Sequence, residues 1–204
     1  MSIEELQKKL HMYAEAHPPR PPRRSAVLVP LIFRDGDQSL PDLLFEQRAF
    51  DLPHQPGEVC FPGGRVEEGE TPEEAALREI CEELLIKPEQ IQILGPLNFF
   101  PSSTDQTICA FAGVLTGYKG TFSPEEVDHV FTIPLRWFLS HEPDRYETFR
   151  TVFPGEDFPY ELIPGGKNYP WGRIRHIVPV YPDTDPVIWG LTARIIDALC
   201  AALQ

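Results

Sequence analysis

Apolar positions in this chain follow two rhythms. Short runs rich in Val, Ile, Leu and Phe, bounded by Gly, Pro, Asp and Ser, predict strands at Ala26–Phe33, Leu43–Arg48, Ile91–Phe100, Thr107–Gly117, Val127–Ile133 and Arg175–Tyr181. The first is the most continuously apolar and reads as a central strand. Asp35-Gly36-Asp37 marks a hairpin turn within Arg34–Pro41. The other rhythm is helical. Ser2 to His17 reads as a short amphipathic helix with Ser2 and Glu5 as a capping box, Pro134–Leu139 as a short helix and Val187–Leu203 as a closing one. Between His141 and Arg175 the chain is rich in Pro, Gly and aromatics, which predicts a long loop with short strands and a place for substrate specificity. Pro18 to Arg24 is a stiff basic tether. The chain therefore divides into residues 1–24, helix and Pro/Arg-rich linker, and a single unit over residues 25–204.

The most informative helical segment is GRVEEGETPEEAALREICEELLI, Gly64 to Ile86. Thr71 is a good N-cap, Pro72 suits the first helical position, and Glu74 sits where a capping-box glutamate reaches back. Ala75, Ala76, Leu77, Ile80, Cys81 and Leu84 supply the apolar face. Glu79, Glu82 and Glu83 stand at i, i+3 and i+4, so their side chains meet on one stripe and repel one another. Carboxylate oxygens are the ligands that Mg²⁺ and Mn²⁺ prefer. A cation on that stripe would remove the repulsion. Arg78 is the lone positive charge among eight glutamates between Val66 and Glu83, and its expected task is to orient one carboxylate. The ordinary reading of a Glu-rich helix is a solvated acidic face. The fixed spacing of Gly64, Glu70, Arg78-Glu79 and Glu82-Glu83 argues against it here.

Length and charge narrow the classes. With 204 residues, 42% of them hydrophobic, the chain can bury a sizeable core. A formal charge of −13 argues against nonspecific nucleic-acid binding and against docking on anionic membranes. No run approaches transmembrane length, and the N-terminus lacks a signal-peptide core. Cys60, Cys81, Cys109 and Cys200 form no CxxC pair and read as buried free thiols, which suits a reducing cytoplasm. His54, His129 and His176 lack metal-ligand spacing.

The segment from Gly64 to Glu83 resembles the signature box of the Nudix hydrolase superfamily. The resemblance implies an α/β Nudix fold, a mixed β-sheet sandwiched between α-helices. It also implies metal-dependent cleavage of a nucleoside diphosphate linked to another group. On that analogy Glu79, Glu82 and Glu83 are metal ligands for Mg²⁺ or Mn²⁺, Gly64 adds a backbone ligand or phosphate contact, and Glu70 and Arg78 support them. One departure is Leu85, where the box places a glycine for a left-handed helix end; Pro88 offers another stop, so a changed helix exit is expected.

Upstream, LFEQRAFDLPHQPGEVCFPGG (Leu44 to Gly64) resembles the coenzyme A pyrophosphatase branch, through Arg48-Ala49, Gly57 and Phe61-Pro62-Gly63-Gly64. Pro53 replaces an arginine of that branch, and Glu46 sits where a threonine or leucine is common. Pro101 to Asp105, Glu125-Glu126-Val127 and Ile188 to Ala193 are also branch-like. Within the last, Trp189 is expected to pack the final helix and Thr192 to start it. The branch implies coenzyme A or an acyl-coenzyme A as the small-molecule nucleotide substrate, with Arg48, Gly63 and Gly64 in contact with it. Glu126 is implied as a further ligand or the base. Basic residues for a 3′-phosphate would come from Arg48, from Arg20, Arg23 and Arg24, or from Lys167, Arg173 and Arg175. An ADP-ribose or NADH pyrophosphatase is the second enzyme reading. A nucleotide-sensing, non-catalytic domain is the reading of another class, and the intact box argues against it. A homodimer stays open.

Overall fold

The computed structural model describes residues 3–16, 23–34, 37–101 and 106–204. Ser2, the Pro18–Pro22 part of the tether, Asp35-Gly36 and Ser102–Asp105 lie outside the described residues. The N-terminal helix α1 spans Ile3–Ala16. A mixed sheet follows, made of β1 (Arg23–Arg34), β2 (Asp37–Arg48), β3 (Val59–Cys60), β4 (Gly63–Arg65), β5 (Ile91–Pro101), β6 (Gln106–Leu115) and β7 (Val127–Pro134). Helix α2 is Pro72–Leu84, α3 is Leu135–Ser140 and α4 is Gly190–Ala202. A second, three-stranded sheet joins β8 (Asp144–Thr151), β9 (Arg173–Tyr181) and β10 (Ile188–Trp189) in the order β10-β9-β8.

The strand rhythm explains the layers. Ala26 and Leu28 of β1 turn toward α2, where Ala75, Ala76, Ile80 and Leu84 join them in one buried cluster. Val27, Val29 and Leu31 turn the other way, into a cluster with Ala193, Ile195, Ile196 and Leu199 of α4. Side chains alternate because successive Cβ atoms point to opposite faces, and both faces of the middle of β1 are covered, so the run from Ala26 to Ile32 is apolar. The result is a mixed sheet between helices, as the resemblance implied. Each fully buried Leu or Ile contributes about 1.5–3 kcal/mol.

The sheet forks next to the box. β1 pairs in parallel with β6 along its length, from Arg23↔Gln106 to Leu31↔Val114. Its other edge is shared: the C-terminal end pairs with β2 at Leu31↔Leu43, and the N-terminal end with β4 at Ala26↔Gly64. β2 diverges from β1 and pairs with β3 at Glu46↔Cys60 and with β7 at Phe45↔Phe131. The short strands β3 and β4 fill the fork and carry Gly63 and Gly64 under α2.

Several expectations need correction. β1 begins at Arg23, three residues before the expected strand start at Ala26, because β6 supplies parallel partners to Arg23 and Arg24. β2 begins at Asp37, so the turn after Arg34 is shorter than Arg34–Pro41. Of the short strands expected within His141–Arg175, one is the eight-residue β8, paired along its length with β9. Its sequence, DRYETFRT, carries no apolar run because nearly all of it is exposed. The closing helix starts at Gly190, and Trp189 before it is half exposed rather than buried. Cys109 and Cys200 are buried free thiols, whereas Cys60 and Cys81 are only partly covered. Among the described residues no helix is long and apolar enough to cross a membrane.

The exit of α2 is not changed. Leu85 takes the left-handed conformation itself, φ 52° and ψ 47°, and Ile86 N–H donates to the Cys81 carbonyl at 3.2 Å to close the turn. A leucine there meets a steric cost of about 1–2 kcal/mol that glycine avoids, and its side chain is 58% exposed, so it gains little packing in return. Leu85→Gly should therefore stabilise the protein by about 0.5–1 kcal/mol after the extra unfolded-state entropy of glycine is counted. Urea denaturation checks this, and a lower midpoint for the glycine variant would contradict it.

Candidate active site

The site is assembled from the start of α2. The Thr71 hydroxyl accepts from Glu74 N–H at 3.2 Å, and the Glu74 carboxylate accepts from Thr71 N–H at 2.8 Å, so the expected capping box is complete. One helical turn on, the Arg78 guanidinium makes a fork. Its Nε and Nη2 donate to the two oxygens of Glu70 at 3.0 and 3.1 Å. Nη1 donates to Glu79 at 2.8 Å and to Glu82 at 3.3 Å, and Nη2 also reaches the Arg65 carbonyl at 3.0 Å. Arg78 thus orients three carboxylates and the box loop, where one carboxylate was expected. Its hydrogen bonds hold Glu70 below the usual carboxylate range.

Glu83 lies under the helix. It is 2% exposed, and Gly63 N–H donates to its Oε2 at 2.8 Å. Glu79 packs its carboxylate on Gly64 so closely that a Cβ there would overlap Oε1, Cδ and Oε2. A side chain at position 64 would displace that carboxylate from its Arg78 contact. A Cβ at Gly63 would likewise collide with the Ala26 carbonyl and Val27.

Glu126 reaches the cluster from the β7 side. Its carbonyl accepts from Ala49 N–H at 2.9 Å, while Ser123 N–H donates to the Glu83 carbonyl at 2.7 Å and the Thr121 hydroxyl to the Leu84 carbonyl at 2.6 Å. The loop before β7 is therefore tied to the end of α2 and to the end of β2. The Glu126 charge acts on Glu79 and Glu83. Arg48 closes the other side, and its Nε is buried with no hydrogen-bond partner.

One acidic residue of the cluster was noted in the sequence only as a departure. Glu46 on β2 is 1% exposed and faces α2, like Leu44 two residues earlier. Its Oε1 accepts from the Cys60 thiol at 3.2 Å. The signal was available: Leu44 and Glu46 share strand parity, so one of them being core-facing places the other there too.

Burial pushes the Glu83 carboxyl up, and the charge of Glu46 adds to it. Burial likewise raises Glu46, with Glu126 and Glu79 contributing and the Cys60 thiol opposing. Burial raises Glu79 as well, against the pull of Arg78. These carboxyls are short of positive charge. Among the described residues no three His, Cys, Asp or Glu side chains stand together so as to hold a metal ion; Arg78 engages Glu79 and Glu82, and Gly63 N–H donates to Glu83. The donor set nonetheless fits a hard divalent cation: oxygen ligands, a carboxylate pair from one helix, and a buried Glu46 oxygen, Oε2, with no partner.

Gly63, Gly64, Glu70, Arg78, Glu79, Glu82 and Glu83 are thus brought together, with Arg48 and Glu126 at the margin. His54 is exposed, and His129 pairs with Asp128 at 2.9 Å. Arg24 lies on the α2-facing side of β1 beside the box loop, its carbonyl accepting from Val66 N–H at 3.0 Å, whereas Arg175 pairs with Glu147 at 2.9 Å on the second sheet. Thr192 is in the first turn of α4, as expected, and its hydroxyl donates to the Val59 carbonyl at 2.9 Å.

The sequence profile of the NUDIX domain matches residues 22–154. The chain belongs to the Nudix family. A mouse relative, "Peroxisomal coenzyme A diphosphatase NUDT7", is 35% identical over 135 residues, covering 65% of this chain and 55% of that protein. "Uncharacterized Nudix hydrolase NudL" of Escherichia coli O7:K1 is 36% identical over 184 residues, covering 89% of this chain and 82% of that one. The chain spans about half the length of the first curated relatives it matches. Among solved structures, a MutT/nudix family protein from Enterococcus faecalis superposes with a TM-score of 0.52 at 16% identity, covering 100% of this chain and 70% of that one. That likeness shows the Nudix fold.

The buried carboxyls of this Nudix site set a pH dependence. Folding raises Glu83 from its ordinary 4.5 toward about 9. A carboxyl raised on folding gives its full stability below the unfolded value and loses it as pH climbs through the folded one. Glutamine mimics the neutral form at every pH. In metal-free buffer the Tm advantage of Glu83→Gln over the parent should therefore be small near pH 5 and grow toward pH 8. Scanning fluorimetry with EDTA reads it, and a gap that narrows as pH rises would be the contrary result.

Proposed function

We propose that this Nudix protein hydrolyses the diphosphate of a nucleotide-linked metabolite, with coenzyme A or an acyl-coenzyme A as substrate and Mg²⁺ or Mn²⁺ as the cation. The carboxylate cluster of Glu79, Glu82, Glu83 and Glu126 around Gly64 carries the reading. Glu79, Glu82 and Glu83 would hold the cation, with the Gly64 backbone beside them. Bound there, it neutralises diphosphate charge and lowers the pKa of a water.

The chain's own groups do the rest. Arg78 keeps Glu79 and Glu82 aimed, so little reorganisation is needed when charge develops. Gly63 holds Glu83 through its N–H, and Gly64 leaves room for the Glu79 carboxylate. The unpartnered Nε of Arg48 offers a charge-assisted hydrogen bond to a phosphate oxygen. Glu126, exposed at the rim, takes the proton of the attacking water. The water oxygen bonds to one phosphorus, the bridging P–O bond breaks, and the products are 3′,5′-ADP and (acyl-)4′-phosphopantetheine. The mouse relative's printed activity and the branch-like stretch from Arg48 to Gly64 support the coenzyme A assignment. The free thiols support a reducing cytoplasm as its setting.

Metal removal tests the chemistry. EDTA should abolish turnover of coenzyme A, and Mg²⁺ or Mn²⁺ should restore it; full turnover in chelator would refute the mechanism. Glu82→Gln and Glu83→Gln should each lower kcat on the order of 10²-fold while the circular dichroism spectrum is retained, the scale of losing one charge-stabilising group.

Substrate choice is tested separately. Coenzyme A should exceed its dephospho form in kcat/KM by at least roughly tenfold, the size expected for one charge-assisted contact to the 3′-phosphate. Arg24, beside the box loop, is one candidate donor. Equal values for the two compounds, or a clear preference for ADP-ribose or NADH in the same mass-spectrometric assay, would move the substrate elsewhere.

A further inference from the structure

Glu46 has no task in the mechanism above, yet its surroundings are specific. Its backbone is held on both edges, against Cys60 of β3 and Val130 of β7. Its side chain is 1% exposed and turned toward α2. One oxygen, Oε1, takes the Cys60 thiol at 3.2 Å, and the other, Oε2, is buried with no partner. Arg48 is the cation that acts on it, but the Arg48 Nε is itself unpartnered. Beside it, Glu83 is 2% exposed and spends one oxygen on Gly63 N–H. A free carboxylate oxygen in a dry site, next to a second buried carboxylate, is costly unless a cation or a proton joins them.

We propose that Glu46 is an additional oxygen ligand of the divalent-cation cluster, joining Glu83 to build an inner position beneath α2. An uncharged residue at this place would not build it. The inference rests on the metal-dependent reading above. One feature favours a cation over a shared proton. The ligand oxygens come from a central strand and a packed helix, which fixes them better than loops would. Added ligand charge tightens binding of a hard cation.

The test is Mn²⁺ binding without substrate, followed by the electron paramagnetic resonance signal of the free ion. The parent, Glu46→Gln and Glu46→Thr are compared, with thermal melts to confirm folding. The tightest Mn²⁺ site of the parent should bind at least about tenfold more strongly than that of either folded variant. Affinity within about twofold in a folded variant overturns the proposal and leaves Glu46 as a protonated partner of Glu83. Absence of Mn²⁺ binding by the parent itself removes the metal reading and this inference with it. A second measurement needs no change at Glu46. The S–H stretching band of Cys60, identified by its loss in Cys60→Ser, should shift when Mg²⁺ is added, because the thiol donates to Glu46. An unmoved band in protein shown to bind Mg²⁺ counts against Glu46 as a ligand.

Discussion

The site depends on one guanidinium. Arg78 joins the loop before α2, through Glu70 and the Arg65 carbonyl, to Glu79 and Glu82 on the helix itself. Without it, Glu70, Glu79 and Glu82 would lose the one cation that they share. Lysine could not replace it, since a single ammonium cannot present a planar fork to Glu70 and still reach Glu79, Glu82 and a carbonyl. The two-sided attachment also fixes the approach of α2 to β4, so that Gly64 meets Glu79 in contact. The glycine, the arginine and the glutamates are one geometric unit.

Below that unit the chain accepts a local conflict. Glu46 and Glu83 are buried carboxylates in an otherwise apolar cluster with Ala26, Leu28, Ile80 and Leu84. A stability-optimised core would place apolar side chains there. Functional sites are where such conflicts persist, because the surrounding packing overdetermines the fold. Leu85 is a second, smaller conflict: its left-handed backbone is held by the closed helix end and by the Thr121 and Ser123 contacts to Leu84 and Glu83.

The sequence disclosed what periodicity and spacing encode. The central strand, the box helix with its cap, and the gathering of Gly64, Glu70, Arg78 and the three glutamates were all legible, because each rests on contacts within about twenty residues. Other features depend on distant partners. β3 and β4 are too short for any rhythm and exist because β1 and β2 diverge. β8 is exposed on nearly every residue and forms by pairing with β9, so its sequence carries no buried stripe. Glu46 stood out only as a departure because a charge in a strand pattern reads as solvent-facing; the helix that covers its face of β2 buries it.

The excursion between β2 and β3 has a closed neck. Arg48 N–H donates to the Glu58 carbonyl at 3.0 Å, and Gly57 N–H returns to the Arg48 carbonyl at 3.2 Å. Residues 50 to 56 hang between that clasp and Ala49, whose N–H is tied to the Glu126 carbonyl. A loop so pinned can lengthen, shorten or change composition with only a small entropic effect, about 0.6 kcal/mol for each doubling. It also leaves the carboxylates on the other side of β3 where they are. The architecture therefore separates two kinds of heritable change. Changes in the excursion alter molecular shape at the rim, while the reacting centre keeps the rigidity of the sheet.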